Sequence, residues 1–489
     1  MINKLNILRS APFKKSLNIS NYYYSTAAAS TAQKAAHFAV VGSGPGAFYT
    51  ILKCLKQNPD LKFDIFEKLP TPYGLVRYGV APDHPEVKIC QNKFNELLQL
   101  GNLRYFGNIE VGKSLKVDEL RERYSGVILA YGSSFDKKLG IEGETLDGVF
   151  SAREFVGWYN GLPEFQHIQP NLDSGDTATI FGQGNVALDV ARVLLAPMDH
   201  LKSTDICDHA LEALSKSKIN KVKVIGRRGP LQVAFTIKEL RELINLPNLN
   251  NVLDHAFLNE QLSLNQELVK KERSLGRLTK LMTQVAQNNN EQNPNTISYE
   301  FLKSPLKFLE SKENQTKLGG VEVGLNTLEI DASGYTKAKL TSEREVIPCS
   351  HSFVSIGYKS LPICDTIPFD TAKGLIPNKG GKVIDAQGNP VNGVYTAGWL
   401  KTGPVGVIVN TMMNGNDTGI SILNDLESGE LKEATEPITY KELINRGQQP
   451  INYKQWRTLE DYEAKIGESK GKPREKVVNL DDMVKYAMN

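Results

Sequence analysis

The chain has 489 residues, of which 40% are hydrophobic and 23% charged, enough for two or three domains with cores of their own. No apolar run reaches the roughly 18 residues that a membrane-spanning helix requires. The formal charge is +3, but the first 36 residues carry Lys4, Arg9, Lys14, Lys15 and Lys34 and no acid, so the remainder stands at −2. That balance argues against a nucleic-acid binder.

In chain order, residues 1–36 are basic and rich in Ser, Ala and Asn, and the first acid is Asp60. They read as a mitochondrial transit peptide, with Leu5, Ile7, Leu8 and Arg9 forming a short amphipathic turn. The apolar run Phe38–Val41 then leads into Gly42-Ser43-Gly44-Pro45-Gly46-Ala47, a dinucleotide-binding fingerprint. Gly42 suits the tight turn, Gly44 lets the backbone approach a pyrophosphate, and Ala47 permits close packing of helix on sheet. A second strand, Leu61–Phe66, ends at Glu67, whose carboxylate would accept hydrogen bonds from free ribose hydroxyls.

The pattern recurs downstream. Thr179–Phe181 precedes Gly182-Gln183-Gly184-Asn185-Val186-Ala187, and the next strand, Lys221–Ile225, is followed by Gly226, Arg227 and Arg228. Here glycine occupies the place of the acid, and two guanidinium groups suit a 2′-phosphate that a carboxylate would repel. The pair of fingerprints predicts one site for an unphosphorylated dinucleotide, FAD, and one for NADP(H), with hydride passing between them in one molecule.

Five cysteines, Cys54, Cys90, Cys207, Cys349 and Cys364, include no Cys-x-x-Cys pair. Neither a redox-active dithiol nor an iron–sulfur cluster is legible, and no metal site is expected.

The strand Gly126–Ala130 and the later strand Phe353–Tyr358 both run into glycine, which predicts departure from one domain and return to it. The expected fold is α/β, two Rossmann-like dinucleotide-binding domains with the NADP domain inserted within the FAD domain. The expected boundaries are 37–135 and 365–489 for the FAD domain and 136–364 for the NADP domain. Pro197 breaks a helix before Asp208–Leu214 starts another. Gln284–Thr296, rich in Asn and Gln, is predicted to be a surface loop, and the polar last 50 residues to be peripheral helices.

Several longer strings are more specific than the fingerprints: Pro72 to Pro85, Ser151 to Gly161, and Gly226-Arg227-Arg228-Gly229-Pro230. With Phe38 to Gly46, they make the chain resemble the mitochondrial NADPH:adrenodoxin oxidoreductase family from about Phe38 to the C-terminus. Residues 1–36 and the Asn/Gln-rich segment lie outside the resemblance, and Gly46 stands where the family more often has alanine, a change expected to matter little.

The resemblance implies FAD contacts at Gly42, Gly44, Gly46, Glu67, Leu75, Val111, Trp399, Gly406, Val407 and Ile408. It implies NADP contacts at Gln183, Gly184, Asn185, Val186, Arg227, Arg228, Glu239 and Gly406. It also implies electron transfer from NADPH through FAD to an acidic [2Fe–2S] ferredoxin in the mitochondrial matrix, feeding iron–sulfur cluster, haem or P450 pathways, and it allows peripheral association with the inner membrane. Hydride transfer requires no obligatory acid or base; His84, between Asp83 and Pro85, and Asp189, in the helix after the second fingerprint, are the polar candidates. Lys238 and Arg241 on one predicted helix, with Arg273 and Arg277 in the basic stretch Lys270–Lys280, are the expected dock for the ferredoxin. A flavin monooxygenase and a nucleotide-sensing protein without turnover are the alternatives at this stage.

Overall fold

A computed structural model describes residues 36–287, 292–332 and 335–489. The transit-peptide reading falls on residues outside these. Residues Ala36 to Asn489 form one compact unit.

Two parallel sheets organise this unit. The first has seven strands in the order Asn378–Lys379, Lys382–Ile384, Pro390–Thr396, Gly126–Leu129, His37–Val41, Lys62–Phe66 and Leu103–Phe106. Its last five pair in parallel, while the first two form antiparallel pairs at one edge. The second sheet has six strands, all parallel, in the order Val149–Ser151, His351–Val354, Thr177–Phe181, Lys221–Ile225, Asn295–Glu300 and Leu249–Val252. Every strand of the second falls in sequence between Leu129 and Asn378 of the first, so this is an α/β fold with two Rossmann-like sheets, one interpolated in the other. At the crossings Phe135–Asp136 pairs antiparallel with Tyr358–Lys359. A further antiparallel sheet of three strands, Lys303–Glu310, Leu318–Ile330 and Thr336–Pro348, lies beside the second.

The strands of both sheets are apolar over most of their length because helices cover both faces. One covering helix, Ala152–Tyr159, comes from the family-specific string and starts with a capping box. Ser151 Oγ accepts from the Glu154 amide at 3.0 Å, and Glu154 Oε2 accepts from the Ser151 amide at 2.9 Å.

Two expectations need correction. The segment Gln284–Thr296 is not a loop throughout: the helix Arg273–Gln287 runs into it and the strand Asn295–Glu300 begins before it ends. Residues 288–291 lie outside the described residues. Its Asn/Gln composition masked an amphipathic helix that buries Leu278, Met282 and Val285.

The C-terminal helices are not peripheral either. Trp456, in the helix Tyr453–Ser469, is fully buried in the core of the first sheet, and Arg77 lies 5.1 Å over its ring. The buried Arg77 guanidinium is held by Glu463 at 2.6 and 2.7 Å. Beyond this helix, Lys472 donates to the Ile206 carbonyl and Lys476 to the Asp205 carbonyl. The C-terminal arm thus joins the core of the first sheet to a segment packed on the second. A polar composition conceals this role because the buried positions are a few aromatic and paired charged side chains.

The helix Pro45–Gln57 that follows the first fingerprint packs against the long helix Ile408–Glu427. Glycines make the approach possible. A Cβ at Gly415 would lie 2.9 Å from Tyr49 Cβ, and Thr50 Oγ1 donates to the Gly415 carbonyl at 3.1 Å. At Gly46 a Cβ would stand 2.7 Å from Gly398 Cα and 2.8 Å from its nitrogen. The departure at Gly46 is therefore not neutral: backbone occupies the space that an alanine methyl would need. Gly46→Ala is expected to destabilise the protein by about 1 to 3 kcal/mol through overpacking, despite the better helix propensity of alanine. Gly184→Ala, where a Cβ meets nothing within 4 Å, is expected to stay within about 0.5 kcal/mol of the parent. Urea denaturation in the absence of NADPH compares the two.

Candidate functional site

The first fingerprint turn connects the strand His37–Val41 to the helix Pro45–Gln57. Gly42 has φ +97°, and a Cβ there would be 2.6 Å from the Ala130 carbonyl oxygen. Glycine is required at that position on both counts. Gly44 has open space beside it, so a pyrophosphate can reach the backbone at the helix N-terminus.

Glu67 follows the strand Lys62–Phe66 and turns back to this loop. The Ser43 amide and hydroxyl donate to its Oε2 at 2.9 and 2.7 Å, and the Leu69 amide donates to Oε1 at 3.1 Å. A carboxylate offers about four acceptor positions, so three are filled and one is left for a ribose hydroxyl. The same side chain thereby fixes the turn.

Leu75 begins the short helix Leu75–Tyr78 and is half-buried. Its loop is tied to the fingerprint: the Tyr73 amide donates to the Ser43 carbonyl at 3.0 Å, and a Cβ at Gly74 would be 3.5 Å from Gly44 Cα. Val111 is buried in the core on the other face of the sheet. Trp399 is half-buried with its ring 5.8 Å from that of Tyr358. Gly406, with φ +86°, and Val407 lead into Ile408 at the start of the helix Ile408–Glu427. Around that N-terminus Val405, Val407, Val409 and Met413 are exposed, an apolar surface beside a positive dipole end.

The second fingerprint repeats the geometry. Gly182 has φ +130° and a Cβ there would be 2.1 Å from the Ser355 carbonyl oxygen, while Gly184 is open. Gln183 accepts from the Ala234 and Phe235 amides at 2.8 and 3.0 Å through its carbonyl, and its side-chain amide donates to the Glu300 carbonyl at 2.9 Å. Asn185 Oδ1 accepts from the Thr236 amide at 2.8 Å, and Val186 is half-buried. The substitution of glycine for an acid at 226 also has a steric reason: a Cβ would be 2.2 Å from Gln183 Oε1. Arg227 is exposed, and its guanidinium makes no hydrogen bond or ion pair among the described residues. Arg228 donates to the Tyr335 hydroxyl at 2.7 Å and to the Gln232 carbonyl at 3.3 Å.

Three of the candidates, Asp189, Glu239 and His84, belong to one charged cluster whose centre, Arg192 with Asp83, sequence reasoning missed. Arg192, on the helix Asn185–Leu195, binds Asp83 through two bonds of 2.6 and 3.0 Å and Asp189 through one of 2.7 Å, and lies 3.6 Å from Glu239. Asp189 is therefore paired within its own helix at i,i+3 spacing. His84 Nε2 is 2.8 Å from Glu242 and 3.9 Å from Glu239.

Burial would raise the Asp83 carboxyl, but the Arg192 contact holds it below its ordinary value. For Asp189 burial prevails and the value is raised despite Arg192. Glu239 is raised well above the usual carboxylate range, chiefly by burial and then by Asp189. The ligand atoms of His84, Glu239 and Glu242 lie within 4.8 Å of one another, but Arg192 and Lys238 already stand against these carboxylates.

Of the predicted docking residues, Arg241, Arg273 and Arg277 are exposed. Lys238 is exposed too, but is paired with Glu86 at 2.7 Å. Their helices, Ile237–Ile244 and Arg273–Gln287, pack against each other. Arg273 and Arg277, four residues apart, share one helical face. Among the described residues, no helix is long and apolar enough to cross a membrane.

No protein-family model matches the chain. Full-length relatives do. It is 44% identical over 470 residues to the mitochondrial NADPH:adrenodoxin oxidoreductase of Homo sapiens, covering 93% of each chain. The enzyme of that name from Arabidopsis thaliana is 40% identical over 481 residues, covering 96% of this chain and 99% of the relative. Among solved structures, Mycobacterium tuberculosis FprA in complex with NADPH superposes with a TM-score of 0.86 at 37% identity, covering 93% of this chain and all of FprA. With two Rossmann-like sheets, two glycine-rich turns and identity at this level along nearly its whole length, the chain belongs to the NADPH:adrenodoxin oxidoreductase family and is an oxidoreductase.

Proposed function

We propose that this enzyme takes electrons from NADPH, passes them through FAD and delivers them to a [2Fe–2S] ferredoxin in the mitochondrial matrix. The observation that carries the reading is the asymmetry of the two turns, with Glu67 beside the first and Arg227–Arg228 beside the second. We assign FAD to a domain formed by residues 37–135 and 365–489 and NADP(H) to residues 136–364, with residues 1–36 as the leader. The strand orders support that division. The basic leader and the mitochondrial names of the relatives support the compartment.

FAD, when bound, accepts a hydride from NADPH and returns its electrons one at a time, as a [2Fe–2S] centre requires. The chain supplies position and charge. Gly42 and Gly44 would admit the pyrophosphate, Gly46 lets the helix approach Gly398 beside it, and Glu67 would receive the ribose. Leu75, Trp399, Gly406, Val407 and Ile408 would line the flavin, and Val111 would contribute from the buried core. The N-terminus of the helix beginning at Ile408 would offer a positive dipole end to negative charge on a flavin held beside it. Gln183 to Val186 bind the second pyrophosphate, and Arg227 and Arg228 the 2′-phosphate. Glu239 and Gly406 lie toward the nicotinamide. Asp189 is engaged by Arg192 directly, and His84 stands against Glu242 beside the same cluster, so both would act on the charges around the second turn.

The exposed arginines Arg273 and Arg277, with Arg241 nearby, fit an acidic partner, whereas Lys238 brings less charge because Glu86 neutralises it.

Replacing Arg227 and Arg228 together with alanine is expected to weaken NADPH use by roughly 2 to 4 kcal/mol in kcat/KM and to leave NADH use nearly unchanged. Equal losses with both nucleotides contradict the assignment. For the dock, Arg273→Glu with Arg277→Glu is expected to raise KM for an acidic ferredoxin while direct reduction of ferricyanide persists. Salt sensitivity should also fall in this variant, since charges screened over about 8 Å steer the encounter. An unchanged ferredoxin KM and salt dependence would place the dock elsewhere.

A further inference from the structure

We propose that Tyr335 is a positioning residue that sets the preference for a 2′-phosphorylated nucleotide by holding Arg228 ready for the phosphate. The proposal rests on the reading of Arg227 and Arg228 given above and adds to it an element from a different part of the fold.

Tyr335 stands at the tip of the antiparallel hairpin formed by Leu318–Ile330 and Thr336–Pro348. That hairpin belongs to neither parallel sheet, yet it grips the arginine turn. The half-turn backbone is clamped first: Asn326, buried in the first hairpin strand, donates from its side-chain amide to the Arg227 carbonyl at 3.0 Å and to Ser304 Oγ at 2.9 Å. The Leu302 amide, just before the adjoining strand, donates to the Arg228 carbonyl at 3.2 Å. Leu328 comes within 3.3 Å of where a Cβ on Gly229 would lie.

The side chain is held second. Arg228 Nη1 donates to the Tyr335 hydroxyl at 2.7 Å, and the guanidinium carbon lies 5.4 Å from the centre of the Tyr335 ring. Tyr335 is itself set by the hairpin turn, its amide donating to Asp331 Oδ1 and its carbonyl accepting from the Asp331 amide, each at 3.0 Å.

The ring is half exposed, so core packing does not account for a large aromatic side chain here. What it does is restrict a long cation. A free arginine loses considerable rotamer freedom on gripping a phosphate, and one that is already stacked and hydrogen-bonded loses less. Tyr335 and the Gln232 carbonyl occupy two of the five guanidinium donors, which leaves the rest for phosphate oxygens. Arg227 has no such holder, so the two arginines differ in role: Arg228 is fixed in advance and Arg227 closes on the ligand.

Adenosine 2′,5′-bisphosphate and AMP differ by the 2′-phosphate alone, and their binding to the purified flavoprotein can be measured by titration calorimetry without turnover. Tyr335→Phe is expected to weaken the bisphosphate about threefold by loss of one hydrogen bond, and Tyr335→Ala about tenfold by loss of the ring as well. AMP should bind the parent and both variants equally. In steady state the KM for NADPH should rise with kcat unchanged, while the KM for NADH stays constant. Unchanged bisphosphate affinity, or equal weakening of both ligands, overturns the proposal. Arg228→Ala separates the two levels: if it selectively weakens the bisphosphate and the Tyr335 variants do not, only the role of Tyr335 fails. If Arg228→Ala has no selective effect, the 2′-phosphate site itself fails with it.

Discussion

The buried Arg192 cluster is the constraint on which the working geometry depends. Two dinucleotide sites on separate sheets are useful for hydride transfer only if their reactive ends meet within a few tenths of an ångström. Arg192 sits on the helix of the second fingerprint and reaches Asp83 in the loop that leaves the first sheet, while holding Asp189 and approaching Glu239. A buried pair of this kind contributes little net stability, because desolvation consumes most of the Coulombic gain, but breaking one partner leaves an uncompensated charge in the interior. Its worth lies in allowing one arrangement of the two sheets and penalising others.

Other contacts reinforce that arrangement from different directions. His84 reaches Glu242 on the far side of the same loop, and Phe135–Asp136 pairs with Tyr358–Lys359 where the chain crosses between sheets. The C-terminal arm adds a tie of its own: Glu463 takes the buried Arg77, and Lys476 reaches Asp205 a few residues later. Burial would raise the Asp205 carboxyl, yet Lys476 and Lys88 hold it well below the usual range. Neutralising it in acid therefore removes stability as the pH falls, the sign expected for a carboxyl with a depressed folded-state value.

Much of this was legible from local patterns. The fingerprints located both turns because a positive φ and a close backbone neighbour leave only glycine at Gly42 and Gly182, and such constraints write themselves into three or four consecutive residues. Glu67 and the arginine pair stood out because each follows the end of the strand next after its turn, although a longer stretch separates the second pair of elements. Asp189, His84 and Glu239 were singled out one by one, but their meeting around Arg192 was not legible, since the members come from three segments far apart in the chain. The contact of Tyr335 with Arg228 spans 107 residues and left no local signal. Composition misled twice: Asn and Gln concealed the end of an amphipathic helix, and polar residues at the C-terminus concealed Trp456 and Glu463. The exchange at Gly46 was misjudged because the neighbour that forbids a methyl group, Gly398, is 352 positions away and invisible from the turn itself.

If one chain holds a flavin and a nicotinamide site in a fixed relation and passes electrons onward singly, its flavin must report both steps. An anaerobic visible spectrum recorded before and after one equivalent of NADPH, followed by addition of an oxidised [2Fe–2S] ferredoxin, tests it most directly. The account predicts a yellow protein whose flavin absorbance bleaches with NADPH and recovers as the ferredoxin is reduced. A colourless protein that takes up no FAD, or a flavin that NADPH does not bleach, would contradict it.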